Sequence, residues 1–503
     1  MEESERGSDE GSLRSITRGA SVFVVGKGLY DVVEFALTLL LTRWLGASRY
    51  GIYAFGRTIV EVCAIFTNLG SDKALMRYLP EYADDPNRRD ATVGMAYATS
   101  LVGGGIVGAA LFLSAPAVTA LTLDEPLLTP VLRVFAGVLV LETMIRIVSY
   151  TFRALERPEY DVLLSKVAYP TIRLAGVAAA LVLGYSLLGA MAAIGLSAIA
   201  GTLIAASLFL ARTDLEPAPP ASTGAAAEYY GFSIPLTVKD AGSFLYNRVD
   251  VLMVGFFLSA TAVGVYNVAV LVATLIALPL QAFNQLFPPV AASLQSRGER
   301  DELEAVFTTV TRWTFTCSLV LATGAVVYAP EILGLFGPEF VAGTTVLSLF
   351  VLAQLVNNAA GPSGFVLMMT DHQYLLVVNQ WTFGVANVVL NYVFILRYGL
   401  VGAAMATAAV LAALNVVRVL EVRYLEGMTP YARSFTKPIV AGTAGAAVML
   451  LSRELLSGLP LVFVGGATGV LAVALVLLVL GIEDEDRELF SAALERAMSR
   501  DDT

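Results

Sequence analysis

Residue types that build metal sites and cross-links are nearly missing from this chain of 503 residues. It has one histidine, His372, and two cysteines, Cys63 and Cys317, both within apolar runs. A metal cluster or a histidine-based catalytic site therefore has almost no material. We expect the cysteines to be packing residues rather than a disulfide framework, and we predict neither a metal nor another cofactor.

Charge is also scarce, and lysine is the rarest charged residue. Charged residues make up 15% of the chain, whereas soluble domains carry about 25%. Lysine occurs only as Lys27, Lys73, Lys166, Lys239 and Lys437. The formal net charge of −10 argues against nucleic acid as a partner. An acidic, lysine-poor composition resembles that of proteins from extreme halophiles; polar tails on an ordinary membrane protein are the alternative.

What the chain has in abundance is long apolar runs. A run of about 20 apolar residues spans a bilayer as a helix, because the backbone must satisfy its own hydrogen bonds there. We therefore predict an all-α membrane protein with about fourteen transmembrane helices. The predicted spans are 19–43, 50–71, 92–115, 127–150, 161–184, 187–211, 230–257, 262–287, 306–328, 341–368, 374–396, 400–422, 435–456 and 459–481.

A proline-rich stretch divides the chain. Residues 212–229 contain three prolines and an Ala-Ser-Thr-Gly-Ala tract, a composition typical of a flexible linker. The linker separates a six-helix lobe (19–211) from a second (230–424), followed by two helices (435–481). Tails of 1–18 and 482–503 complete the predicted organisation.

An internal repeat supports two lobes of six helices. Leu45, Ala47, Gly51 and Tyr53 recur 213 residues later as Leu258, Ala260, Gly264 and Tyr266. Tyr185, Leu187, Gly189, Ala190 and Ala193 recur at the same offset as Tyr398, Leu400, Gly402, Ala403 and Ala406. Because six is even, both copies enter the membrane from one side, which predicts a parallel repeat.

Loop charges predict the orientation. With the N-terminus inside, most Lys and Arg of the loops lie on the inner side, and the outer loops carry only Arg43, Arg49, Arg397 and Arg453. The positive-inside rule then places both termini in the cytoplasm. The first 18 residues are polar, so no cleavable signal is evident, and we expect a multi-pass protein of the cytoplasmic membrane.

Ionisable residues inside the spans are the candidate site, because they are costly in hydrocarbon and usually face a cavity or a partner. The predicted substrate cavity comprises Lys27, Asp31, Glu34, Arg57, Glu61, Arg146, Arg173, Lys239, Arg248, Asp250 and Asn284. Several pairs, such as Arg57 with Glu61 and Glu142 with Arg146, have i, i+4 spacing. Internal ion pairs are therefore the alternative reading, and Lys166 and Arg173 near span ends are alternatively snorkelling residues.

The charge balance of the spans favours an anionic cargo. The spans contain eight cations and six anions. The cations are Lys27, Arg57, Arg133, Arg146, Lys166, Arg173, Lys239 and Arg248, and the anions are Asp31, Glu34, Glu61, Glu142, Asp240 and Asp250. Arg and Lys hold phosphate, so a cationic cavity between apolar helices suits a phosphorylated, lipid-tailed substrate. Pro235 predicts a break in helix 7. Gly26 and Gly28 predict that helix 1 is loosened. Together they indicate a moving gate, with simple distortion near loops as the alternative.

Several segments of the chain resemble the polysaccharide-biosynthesis membrane proteins. These are the lipid-linked oligosaccharide flippases of the multidrug/oligosaccharidyl-lipid/polysaccharide exporter superfamily. Residues 26–30 and 41–53 are similar to that family's first hairpin, and 72–82 to the loop after its second helix. Further similar segments are 233–236, 248–255, 263–267, 335–340, 387–392 and 398–407. Each motif is loose alone, but their order and spacing are specific and cover nearly the whole chain.

The resemblance implies a two-lobed bundle that moves a lipid-linked sugar outward by alternating access, without catalytic residues. A dolichol-phosphate-linked sugar is the implied cargo if the source is a halophile, with membrane lipids as partners and glycosyltransferases as functional neighbours. A cation-coupled drug exporter of the same fold stays open as an alternative. A membrane glycosyltransferase or polymerase would need a sizeable outer loop bearing acids or bases, and the outer loops are short.

Overall fold

The computed structural model describes residues 2–220, 222–481 and 483, and for residues 2–25 it describes the backbone alone. The predicted acidic tail 482–503 therefore lies outside the described residues, apart from Glu483. In the described part the secondary structure is helical, without a strand. The all-α prediction is confirmed.

The described helices follow one another with short connections. Their bounds are α1 Glu2–Thr67, α2 Ser71–Glu81, α3 Pro86–Leu121, α4 Leu128–Ala154, α5 Pro158–Asp161, α6 Tyr169–Val182, α7 Leu187–Arg212, α8 Thr223–Asn247, α9 Val249–Phe257, α10 Ala260–Thr274, α11 Leu278–Arg297, α12 Arg300–Val327, α13 Ala329–Gly334, α14 Thr344–Ala360, α15 Ser363–Met369, α16 Gln373–Glu426, α17 Thr436–Leu455, α18 Gly458–Pro460 and α19 Gly466–Leu480. Short π-helical turns lie at Val162–Ala168 and Leu461–Gly465, and 3-10 turns at Leu275–Ala277, Pro338–Gly343 and Arg433–Phe435.

These helices provide the fourteen predicted membrane crossings. Ten described stretches are long and apolar enough to span a membrane. Two of them, Gly26–Glu81 and Gln373–Glu426, are each long enough for two crossings. Gly46 (φ 71°) breaks the first and Gly399 (φ 58°) the second, at a backbone conformation that glycine adopts readily. The charge-bearing α4 and the pair α8–α9 complete the set.

Local sequence sets where two of the crossings begin. The Asp85 side chain accepts a hydrogen bond from the Arg88 backbone nitrogen, and Pro86 occupies the first turn of α3. The Ser222 side chain accepts from the Ala225 nitrogen and caps α8. Both are N-terminal caps that satisfy otherwise unpaired backbone donors.

The described helices group into two compact units. The first unit comprises residues up to 267 together with 384–403, and the second unit comprises 268–383 together with the residues from 404 onward. In the first unit α3 packs on α4, and α7 packs on α4 and α6. In the second unit α12 packs on α14 and α17, and α17 on α19. The predicted lobes 19–211 and 230–424 divide the chain differently and stay a prediction.

The repeated motifs meet within the first unit. A Cβ added to Gly51 would overlap the carbonyl oxygen of Ala260, and a Cβ added to Gly264 would overlap that of Ala47. The two contacts are reciprocal across the offset of 213 residues, as between two copies related by a local twofold axis. Small residues here let two helix backbones approach closely.

The break predicted at Pro235 is wrong. Pro235 lies inside α8, which continues to Asn247, and the chain leaves helical geometry at Arg248 (φ −140°, ψ −6°). α1 also continues through Gly26 and Gly28 to its break at Gly46. Both cysteines are free, and Cys317 is exposed rather than packed.

Candidate functional site

Charged side chains from α1, α4, α6 and the junction of α8 with α9 form one network in the first unit. Glu34 lies in α1 before the break at Gly46, and Arg57 with Glu61 lies after it. Glu142 belongs to α4 and Arg173 to α6. These residues lie in spans that are mostly apolar, where a charge is stable when it meets an opposite charge on a neighbouring helix.

Glu142 is the centre of the network. Its carboxylate accepts a hydrogen bond from Arg57 Nη1 at 2.7 Å and another from the Tyr169 hydroxyl at 2.6 Å. Arg173 Nη1 lies 3.9 Å from the same carboxylate and donates through Nη2 to Glu34. Arg173 is thus held between two acids on different helices.

The network continues to the start of α9. Arg57 Nε lies 3.9 Å from Glu61, and Glu61 accepts from Arg248 Nη2 at 3.0 Å and Nε at 3.2 Å. Arg248 reaches Glu61 from the non-helical residue between α8 and α9. Arginines and glutamates alternate along the network, three of each, so its formal charge is zero.

Exposure is lowest at Arg173 and rises on both sides of it, to 28% at Glu34 and to 34% at Arg248. The Arg173 side chain is 5% exposed and that of Glu142 17%, whereas those of Arg248 and Glu61 are 34% exposed. A buried ion pair strongly resists loss of either partner, while a half-exposed pair is screened and exchanges partners more easily. Arg248 and Glu61 are therefore the members most open to a ligand.

Three further sequence-predicted residues have partners nearby in the chain or on the next helix. Lys27 Nζ lies 2.5 Å from Asp31, one helical turn along α1. Asp250, 2% exposed, accepts from the Tyr266 hydroxyl at 2.5 Å. Lys27 and Asp31 thus form an ion pair within one helix, and Asp250 is held by a hydrogen bond from the next helix.

Arg146 and Lys239 differ from the other predicted cations. Both are exposed, and neither has an ion pair within the part of the chain whose side chains the structure describes. The i, i+4 contact expected between Glu142 and Arg146 is not formed, because Glu142 is occupied by Arg57 and Tyr169. Arg146 lies one turn along α4 on the same face as Glu142, so it extends that face with an uncompensated positive charge.

The remaining predicted residue, Asn284, belongs to the second unit. Its Oδ1 atom is buried and has no hydrogen-bond partner among the described residues. The other ten predicted site residues lie in the first unit. Within the described residues, no group of three His, Cys, Asp or Glu side chains is arranged to hold a metal ion.

Sequence reasoning missed two members of this region. Tyr169 binds the central glutamate, and its position four residues before Arg173 on one face of a helix was the available signal. Lys73, placed in a loop by the sequence, forms an ion pair with Asp240 of α8. No local pattern indicated that contact, since 167 residues separate the two.

Known proteins resemble this chain along most of its length. A family model described as "Polysaccharide biosynthesis protein" matches residues 40–341. A probable low-salt glycan biosynthesis flippase, Agl15 of Haloferax volcanii, is 27% identical over 217 residues. That match covers 42% of this chain and 45% of the relative, so the chain spans less than half the length of the relative it matches.

Solved structures share the fold at low identity. The lipid II flippase MurJ in an inward closed conformation matches with a TM-score of 0.71 and 12% identity, over 95% of this chain and 99% of that one. An inward-facing multidrug resistance MATE family transporter of the MOP superfamily matches with a TM-score of 0.69 and 14% identity, over 79% and 94%. These matches establish the architecture of a multi-pass membrane transporter fold.

Proposed function

Because the chain belongs to the polysaccharide biosynthesis protein family, we propose that it is a flippase that moves a lipid-linked sugar phosphate across the cytoplasmic membrane. The cargo is a sugar or oligosaccharide on a polyprenyl or dolichyl phosphate, destined for surface polysaccharide or glycoprotein. The name of the Haloferax relative, a glycan biosynthesis flippase, supports this class of cargo. Glycosyltransferases would supply it on the inner leaflet.

The alternating Glu–Arg network carries the proposal. A phosphate that enters the more exposed end takes over donors from Arg248 and Arg57, and Glu61 is the anion that it displaces. The guanidinium groups then keep an anionic partner throughout, and the displaced Glu61 is the group that loses its cations. Arg146 and Lys239 add positive charge that offsets the charge of the cargo.

The lipid part of the cargo has different needs from the headgroup. Its chain stays in the bilayer, and only the phosphate and sugar must avoid hydrocarbon, where unpaired polar groups are costly. Alternating access meets this need, because a polar site opens first to one side and then to the other. The close contact of Gly51 with Ala260 and of Gly264 with Ala47 is a candidate for the seal at one end.

The proposed orientation places the linker 212–229 and both termini in the cytoplasm. Single cysteines at Ser222 and Ser259, in a background without Cys63 and Cys317, test it with a membrane-impermeant thiol reagent on intact cells. We expect labelling at position 259 and protection at 222 until the cells are opened. Labelling of 222 alone would reverse the orientation.

Deletion of the gene in its own host tests the function. We expect surface glycan to be lost while the sugar-loaded lipid carrier accumulates on the inner leaflet. The wild-type gene should reverse both changes. Unchanged surface glycan with altered sensitivity to drugs or cations would instead favour a cation-coupled exporter. Loss of the lipid-linked sugar itself would favour an enzyme that makes or polymerises it.

A further inference from the structure

A polar cavity lies in the second unit, away from the charge network in sequence. It has a volume of about 610 Å³, and its charged lining residues are Glu304, Arg312, Arg433, Lys437 and Glu483. Glu304 is already engaged, because it accepts a hydrogen bond from the Thr429 backbone nitrogen at 2.9 Å. The described charged lining therefore comprises three cations and two acids, and Glu483 is the acid without this backbone contact.

An apolar groove continues from this cavity. The groove has a volume of about 520 Å³ and shares Arg312, Ser434, Lys437 and Glu483 with the polar cavity. Its other walls include Phe283, Trp313, Pro438, Leu477 and Leu478. Along α12 the polar cavity is lined by residues between 304 and 312, and the groove by Trp313, Thr316 and Cys317. Ala474, Leu477 and Leu478 of α19 add apolar walls to the groove.

This gradient follows the direction from the helix ends into the membrane. Arg433 precedes α17, Glu483 follows α19, and the apolar walls lie further inside both helices. A site with cations at the helix ends and apolar walls deeper in the span fits an amphipathic anion better than a small inorganic anion. Ligand pockets of a few hundred Å³ commonly combine apolar walls with a few polar anchors in this way.

Glu483 occupies the position that such an anion would take. Its Oε1 lies 2.7 Å from Lys437 Nζ and 4.0 Å from Arg312 Nη1, and the Arg312 side chain is 7% exposed. The hydrogen bond from Lys437 holds the pKa of Glu483 below its usual range, against a smaller opposing effect of burial. The carboxylate is thus ionised at neutral pH, pairs with Lys437 and lies at longer range from Arg312.

We propose that this cavity binds the phosphate of an anionic bilayer lipid, with one chain of the lipid in the apolar groove, and that the phosphate displaces Glu483. The inference goes beyond the flippase proposal, because it concerns a lipid of the surrounding bilayer rather than the cargo. Arg312 and Lys437 bind the phosphate through charge-assisted hydrogen bonds. The hydroxyl of Ser434, shared by the cavity and the groove, offers a neutral donor between headgroup and chain.

Trp313 in the groove wall provides a direct probe. The chain has three tryptophans, so replacing Trp44 and Trp381 with Phe leaves Trp313 as the single fluorophore. This protein is placed in phosphatidylcholine nanodiscs and titrated with lipids whose chains carry bromine, which quenches tryptophan on contact. We expect brominated phosphatidylglycerol to quench at about tenfold lower mole fraction than brominated phosphatidylcholine.

Three substitutions in the same background identify the site. Lys437→Gln should abolish the preference for the anionic lipid, and Glu483→Gln should increase it, because the competing carboxylate is gone. Arg453→Gln, which removes an equal charge from an ion pair with Glu331 elsewhere in the second unit, should leave it unchanged. The gain with Glu483→Gln keeps the test informative if Lys437→Gln fails to fold.

Other sources of phosphate give different results. Inorganic phosphate at millimolar concentration should not relieve quenching by phosphatidylglycerol, since the chain contributes to binding. Full relief would show a site for free phosphate and overturn the lipid assignment. Equal quenching by the two brominated lipids, or no response to Glu483→Gln, would also overturn it. Each result is independent of whether the protein flips a sugar lipid.

Discussion

The two units differ in the polar contacts of their buried interior. Ion pairs between helices occur in both, but Arg453, which pairs with Glu331 in the second unit, is an exposed residue. In the first unit, arginines and glutamates of different helices pair directly, as Arg57 does with Glu142. In the second unit, buried hydroxyls and amides reach backbone carbonyls: Ser318 donates to Ile276 at 3.0 Å and Asn358 to the same oxygen at 3.2 Å. A neutral amide suffices to join helices, so the costlier charges of the first unit point to a task beyond packing.

Close glycine contacts differ in the same sense. In the first unit Gly51, Gly264 and Gly103 each lie against a backbone carbonyl of another helix. In the second unit Gly442 and Gly469 lie against the side chains of Leu319 and Met449. A flexible side chain can move aside, whereas a backbone cannot, so Gly51, Gly264 and Gly103 should be the less tolerant of added volume.

The largest expected effect comes from Arg173→Gln. This change leaves Glu34 and Glu142 without their shared buried partner, and we expect a loss of about 3 kcal/mol in the free energy of unfolding. Arg453→Gln breaks the more exposed pair with Glu331 in the second unit and should cost less than about 1 kcal/mol. Thermal unfolding of the purified proteins in detergent compares them. Equal losses would remove the distinction between the units.

Gly51→Ala should have the next largest effect. The added methyl group meets the backbone of Ala260, and overpacking of this kind costs about 1–3 kcal/mol. Gly442→Ala in the second unit displaces only the end of Leu319 and should cost less than about 1 kcal/mol. The same unfolding measurement applies, with Gly231→Ala, where nothing lies near the new atom, as the control. If Gly51→Ala left the free energy of unfolding unchanged, the helices would not be closely packed at this contact.

Asn358→Leu tests the neutral contacts of the second unit and should have the smallest effect. It removes the donor to Ile276 without leaving a buried charge, and Ser318 still donates to that carbonyl. A neutral hydrogen bond of this kind contributes about 1 kcal/mol, so the midpoint of unfolding should fall by a few degrees at most. A loss as large as that of Arg173→Gln would show that amides and charges are equally important to packing.

Sequence reasoning recovered the helices because length and apolarity determine a crossing. It recovered the residues of the charge network for the same reason, since charge stands out in an apolar run. It did not recover their partners: Glu142 pairs with Arg57, 85 residues away, rather than with Arg146 one turn along. Tertiary neighbours decide such choices, as they decide that the break falls at Arg248 and not at Pro235. The cavity around Glu483 also depends on segments distant in sequence.

The central claim is that the first unit's cations serve the phosphate of a cargo lipid. Its most direct test is the flipping rate of a fluorescent polyprenyl-phosphate sugar in proteoliposomes, followed by an impermeant quencher. The double variant Arg146→Gln/Lys239→Gln lacks two exposed cations that have no ion pair among the described side chains, so it should fold normally. We expect its flipping rate to fall at least about tenfold. The control Arg453→Gln should flip the lipid at the wild-type rate. A folded double variant with the wild-type rate would contradict the account.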